Sequence, residues 1–147
     1  MRTIQFFKDN YDFLSNFYPI IIEYEGFKYP SVEHAYQAQK SLSREVKKIF
    51  TSKDIPPGLA KRLGKLIETR DDWDQYKMIV MTELVHLKFN DPILSRKLVE
   101  TGNAELIEGN WWGDTFWGIY DGKGMNHLGK ILMAKRNIIN SESKFYV

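Results

Sequence analysis

The chain has 147 residues, 43% of them hydrophobic and 27% charged, with a formal net charge of +2; this is the profile of one soluble globular domain with room for a hydrophobic core. So small a charge argues against a dedicated nucleic-acid binder, while a local pocket for an anionic ligand stays open. Cysteine is absent, which removes disulfides, thiolate zinc sites and a cysteine nucleophile. His34, His86 and His127 show no metal-ligand spacing, so neither a metal nor another cofactor is expected. The N-terminus lacks the apolar run of a signal peptide and no segment approaches a membrane span, so a cytoplasmic protein without a membrane partner is expected.

In chain order, residues 2–7 read as a short strand. Residues 9–19 interleave Asn, Asp and Ser with Tyr11, Phe13, Leu14, Phe17 and Tyr18, the composition of an ordered loop. Residues 20–24 and 27–29 flank Glu25-Gly26 and predict a hairpin. From Ser31 the period becomes helical. Pro56-Pro57 opens a short helix to Leu66, with proline tolerated in the first turn. Asp71 or Asp72 caps a long helix to about Phe89. Asp91-Pro92 starts another, which Thr101-Gly102 stops, and a last helix runs from about Asn126 to Ile139. No repeat, low-complexity tract or linker interrupts residues 1–147. The expectation is a single α+β domain, mainly helical, with a small β element near the N-terminus.

Three segments carry candidate chemistry. Residues 110–118, Asn-Trp-Trp-Gly-Asp-Thr-Phe-Trp-Gly, place three of the four tryptophans beside one carboxylate and two glycines. Glycine costs roughly 1 kcal/mol in a helix interior, so this run reads as a loop. It is either an aromatic pocket for a flat ligand such as a base or sugar, or a plug under a core. In the long helix Trp73, Tyr76, Val80, Leu84 and Leu87 recur at core spacing, and Trp73, at the helix entrance, is also placed to face a pocket. In the helix from Ser31, Val32, Ala35, Tyr36 and Gln39 share one face and Glu33, Gln37 and Lys40 another. The second face has the spacing common on solvated helices, while its place directly after an aromatic loop and a hairpin is one that often delivers a first turn to a cleft.

Phe13-Leu14-Ser15-Asn16-Phe17, then Ser31-Val32-Glu33-His34-Ala35-Tyr36-Gln37 with Lys40, resembles the opening of the YbiA-like, or NADAR, family of N-glycosidases. The resemblance continues through Ala60, Gly64, Trp73, Met81 and Lys88-Phe89. It ends in Thr101-Gly102, Leu106, Glu108, Asp114-x-x-Trp117-Gly118 and Gly124-x-Asn126-x-Leu128-Gly129. It implies a compact, mainly helical α+β domain that hydrolyses N-ribosidic bonds. The substrate it implies is either a phosphorylated ribosylaminopyrimidine intermediate of riboflavin synthesis or ADP-ribose on guanine in DNA. Trp111-Trp112 departs from the pattern by enlarging the aromatic patch.

The resemblance gives the residues roles. Cleaving C1–N of a ribose passes through an oxocarbenium-like state and leaves a nitrogen that needs a proton, work for carboxylates; Glu33 and Asp114 are the expected pair. Trp73 and Trp117 would stack on the base or cover the sugar, Asn16 and Asn126 would bond ribose hydroxyls, and Gly118 and Gly124 would permit close backbone approach. Phe17 and Gln37, in the same motifs, join the substrate-binding set. Lys40, Arg62 and Lys88 are the candidates for phosphate. A lysine attacking C1 to give an imine is the competing route, with Lys28, just ahead of the Glu33 helix, placed before Lys40. The rival readings are a non-catalytic ADP-ribose or nucleotide-binding module and a structural domain whose Trp-rich loop is an interface. The sequence points to no obligate protein partner.

Overall fold

Between Asn16 and Lys88 the chain is built around one short helix whose every residue is buried. The structure, a computed structural model, describes residues 2–143, and its contacts gather into two units. One is Asn16–Lys88; the other joins the segment up to Ser15 with the segment from Phe89 onward.

In the Asn16–Lys88 unit, β1 (Ile22–Tyr24) and β2 (Phe27–Tyr29) form the expected antiparallel hairpin, with Glu23 opposite Lys28. Glu25 and Gly26 both have positive φ, 49° and 89°, the turn geometry that matches strand twist. Ile22, Tyr24 and Tyr29 are buried while Glu23 and Lys28 are exposed, the period of two expected of a half-buried ribbon. The central helix is α1 (Val32–Ala38), against which α2 (Arg44–Ile49), α3 (Pro57–Leu63), α4 (Trp73–Lys88) and both hairpin strands pack. α3 stops at Leu63, short of the expected Leu66, with Gly64 as its C-cap. On α4 the buried positions are Trp73, Val80, Met81, Leu84, Val85 and Lys88. Leu87, expected on that face, is 41% exposed, because a 3.6-residue turn carries the buried stripe through Met81, Val85 and Lys88 instead. α2 was not anticipated: it buries no residue, so it leaves no amphipathic signature.

Ser31 starts α1 by accepting the His34 amide N–H at 3.2 Å. The His34 ring closes the same motif, with Nδ1 at 2.7 Å from Ser31 Oγ and Nε2 at 2.6 Å from the Ile55 carbonyl. A carbonyl can only accept, so Nε2 carries the proton and Nδ1 accepts the Ser31 hydroxyl. This satisfies a neutral ring, and burial lowers the His34 pKa below its ordinary 6.5. A depressed histidine pKa gives stability that is whole above the unfolded value and drains as pH falls through the folded one. Thermal melts from pH 7 downward are therefore expected to lose Tm more steeply in the wild type than in His34→Asn. Parallel slopes would separate His34 from the acid sensitivity.

In the other unit, β3 (Thr3–Ile4) pairs in parallel with β4 (Glu105–Leu106). Neither contains more than two residues, but the ladder extends to Gly109, whose N–H donates to the Gln5 carbonyl at 3.1 Å. Although β4 pairs with the first strand, it was not foreseen, since a two-residue strand is too short to show a period. Residues 9–14, expected as loop, form the 3-10 segment Asp9–Leu14, which buries Phe13 and Leu14. The Phe13 ring meets Phe89 edge-on at 6.5 Å. α5 (Pro92–Glu100) is capped by Asp91 Oδ2, which accepts from the amides of Ile93 and Leu94 at 3.1 and 3.0 Å. α6 (His127–Ser143) covers α5 and β4. Its buried Arg136 donates to Thr101 Oγ1 at 2.8 Å and to the Ala104 carbonyl at 2.9 Å, satisfying acceptors just past the end of α5. The α+β, mainly helical class read from the sequence is the class of this structure.

Candidate active site

The Asn16–Lys88 unit holds most of the candidate residues, and α1 positions the central ones. The Glu33 amide in its first turn donates to the Asn16 carbonyl at 3.0 Å. One turn on, Gln37 Nε2 donates to Glu33 Oε1 at 2.8 Å. Glu33 and Gln37 are 7% and 4% exposed, which decides between the two readings of this face: it is interior. A carboxylate is taken out of water only where its lone pairs are met, so this pair is built. Lys40 follows directly after the helix, its amide bonded to the Gln37 carbonyl at 3.2 Å. Burial pushes the Lys40 pKa down; the Glu33 charge opposes this, and Lys65, Lys77 and Lys61 add to it.

Trp73, 8% exposed, opens α4, and its indole lies 5.1 Å from the Tyr36 ring at 55°. Tyr36 lies on α1 on the face it shares with Val32 and Ala35; the sequence offered it only as a core position. Asn16 uses its carboxamide locally, Nδ2 donating to Met81 Sδ at 3.4 Å. Phe17 is 40% exposed. Lys88 is almost fully buried, its ammonium 5.5 Å from the centre of the Tyr18 ring. Arg62 is exposed on α3, and Lys28 is exposed at the middle of β2.

The second unit treats its candidates differently. Asp114 Oδ1 accepts from the amides of Phe116 and Trp117 at 3.0 and 2.8 Å, while Asn110 Oδ1 accepts the Asp114 amide at 2.9 Å and Asn110 Nδ2 donates to the Asp114 carbonyl at 2.8 Å. One oxygen of Asp114 is thus engaged in ordering its own loop, as a helix-capping aspartate would be. Trp117 is half-buried and edge-on to Phe116 at 4.7 Å. Trp111 stacks on Phe6 at 5.2 Å and 12° and stays 64% exposed. Asn126 is buried with its carboxamide engaged at both ends: Oδ1 accepts the Glu108 amide at 3.0 Å and Nδ2 donates to the Leu106 carbonyl at 2.9 Å. It pins the start of α6 to β4, a scaffold use of the side chain. The close approach made by Gly118 and Gly124 is also within the chain. A Cβ on Gly118 would overlap the Glu108 carbonyl, and one on Gly124 the Gly118 carbonyl.

Two hollows, of about 320 Å³ between the 41–46 and 68–71 segments and about 240 Å³ beside Phe6 and Gly109, contain none of the candidate residues. Among the described residues no three His, Asp or Glu side chains gather as metal ligands, and no helix is long and apolar enough to cross a membrane.

The Asp114 geometry gives an expected result. Asp114→Ala removes the acceptor of two backbone N–H groups and should cost about 1–2 kcal/mol, with faster hydrogen exchange at Phe116 and Trp117. Asp114→Asn keeps a carbonyl oxygen there and should preserve the loop. Equal exchange in wild type and Asp114→Ala would show that the loop holds without this carboxylate.

A family model described as the NADAR domain matches residues 5–140. An N-glycosidase of Nostoc punctiforme is 37% identical over 147 aligned residues, which cover 95% of this chain and 94% of that protein. A riboflavin biosynthesis protein of Vibrio vulnificus is 38% identical across 93% of this chain, which spans only 38% of that protein's length. The solution structure of Escherichia coli YbiA is similar with a TM-score of 0.83 and 32% identity, over 97% of this chain and 87% of that one.

Proposed function

We propose an activity from the premise that the chain belongs to the NADAR domain family: it is a hydrolase of N-glycosyl bonds, and its substrate is a phosphorylated ribose joined through C1 to a nitrogenous base. The observation that carries this reading is the buried Glu33 carboxylate, held by the Gln37 carboxamide at 2.8 Å on α1, the helix that leads directly to Lys40. The like-sized Nostoc and Escherichia coli relatives named N-glycosidases support the reaction class. The Vibrio and maize relatives named for riboflavin biosynthesis support a ribosylaminopyrimidine phosphate as the first substrate to test. ADP-ribosylated guanine in DNA is the second.

In direct hydrolysis a water oxygen bonds to C1, the C1–N pair leaves with the base, and the water's proton ends on the departing nitrogen. Glu33 moves that proton and faces the positive charge that grows at C1. Trp73 and Tyr36 offer the base or sugar aromatic surface. Lys40 has two uses consistent with its place: binding the phosphate as a cation, or attacking C1 as a free amine. In the second, the C1–N bond breaks with its pair and a proton going to the base, the ring oxygen leaves C1 to give an imine, and water hydrolyses that imine to free sugar phosphate and amine. The lowered Lys40 pKa favours the second, so we place Lys40 ahead of the exposed Lys28 as the candidate amine. Asp114 acts on the loop that carries Trp117.

Incubation with ribosylaminopyrimidine phosphate, and separately with an oligonucleotide bearing ADP-ribosylated guanine, tests the reading by release of free sugar phosphate or ADP-ribose. Release from the first alone selects the pyrimidine substrate and from the second alone the DNA. Tight binding of either without release would replace the enzyme by a binding module.

A further inference from the structure

We propose that Gly64 is a positioning residue for Glu33, acting through Gln37: the missing Cβ at the end of α3 leaves the space in which the Gln37 carboxamide lies, and that carboxamide aims the Glu33 carboxylate. The inference rests on Glu33 as the proton-transfer group. A Cβ on Gly64 would overlap Gln37 Oε1 and come within 2.6 Å of Cδ and 3.2 Å of Cγ. Gly64 has helical φ and ψ of −60° and −21°, values that any residue adopts. Backbone conformation therefore does not call for glycine at position 64; the Gln37 side chain does.

The consequence reaches Glu33 in one step. Among the described residues Gln37 Oε1 has no hydrogen-bond partner, so the amide is oriented from its other end, by donation to Glu33 Oε1 at 2.8 Å. Turning the amide over would set its oxygen against a carboxylate oxygen. A buried carboxamide that gives up its own acceptor to present N–H to a neighbour favours the ionised form of that neighbour. The charged groups that act on Lys40, which shares this face, are Glu33 itself, Lys61 on α3, Lys65 just past its end, and Lys77 on α4, none of which a methyl group at position 64 removes.

The experiment compares Gly64→Ala, Gln37→Ala and the double variant, reading kcat and KM, the titration of the Glu33 side-chain carboxyl by carbon-13 NMR, and Tm. Gly64→Ala should lower kcat between about 10- and 100-fold with KM little changed, the loss expected when a hydrogen bond to a charged group is broken. It should also move the Glu33 titration to higher pH. Gln37→Ala should do the same. Adding Gly64→Ala to Gln37→Ala should change neither reading and should raise Tm, because alanine suits helical φ once the side chain opposite is gone. Unchanged kcat and titration in Gly64→Ala, or losses that add in the double variant, would overturn the proposal. If Gly64→Ala does not fold alone, the double variant must fold and match Gln37→Ala, or the proposal falls. The reading of Glu33 fails separately: Glu33→Gln would then turn over normally while Gly64→Ala still shifts the Glu33 titration.

Discussion

Glu33→Gln is expected to lower kcat by roughly 10² to 10⁴, the range for removing a positioned proton-transfer group, while the protein melts near the wild-type temperature. The structure shows what this substitution keeps. Gln37 Nε2 donates to Glu33 Oε1, and a glutamine at position 33 keeps a carbonyl oxygen to accept that bond. The Glu33 amide stays on the Asn16 carbonyl, so the first turn of α1 is undisturbed. The substitution removes the ionisable oxygen. Glu33→Ala behaves differently, because it strands the Gln37 carboxamide inside the protein with neither end paired, a cost of about 1–3 kcal/mol. The comparison of the two variants by melting and by single-turnover kinetics therefore separates chemistry from packing. A Glu33→Gln protein with kcat within a few-fold of wild type would remove Glu33 from the reaction.

The legible and illegible parts of this protein divide along physical lines. Caps and turns were legible: Glu25-Gly26, Ser31, Asp91-Pro92 and Thr101-Gly102 act through their own backbone neighbours, so a few adjacent letters specify them. The face formed by Glu33, Gln37 and Lys40 was legible as a pattern but not as a location. The i, i+4 spacing is the same on a solvated helix and on a buried one, and only the elements that enclose α1 decide the matter. Gly64 was visible as a letter whose reason lay 27 positions away in Gln37, a contact that no local pattern encodes. Asp114 and Asn126 carry backbone contacts that the sequence did not announce. Both are polar residues in a glycine-rich, aromatic stretch, which reads as a ligand site. A loop with so few regular hydrogen bonds must also satisfy its own amides and carbonyls, and these side chains do that. α2 and β4 left no trace in the sequence, since one buries nothing and the other is two residues long.

Borohydride added during turnover is expected to leave a sugar adduct on Lys40. The amine must be neutral to attack C1, and burial lowers its pKa from the ordinary 10.5, with Lys65, Lys77 and Lys61 pushing the same way and Glu33 pushing back. The sign follows directly. Below the folded pKa the ammonium is protonated and cannot attack, so trapping and turnover should rise with pH and level off above a value lower than 10.5. Lys40→Arg keeps a cation for phosphate but effectively never deprotonates, so it should abolish the adduct and the activity together. If Lys40 only holds phosphate, Lys40→Arg should retain much of the rate and no adduct should form in either protein. Lys28 supplies the internal control. It is exposed across the hairpin from Glu23, and Lys28→Arg should trap and turn over as the wild type does. Peptide mapping by mass spectrometry locates the adduct: sugar on Lys28 would return the nucleophile to the hairpin and leave Lys40 to the phosphate. An unmodified protein, with product formed in the same tube, would leave direct hydrolysis assisted by Glu33 as the route.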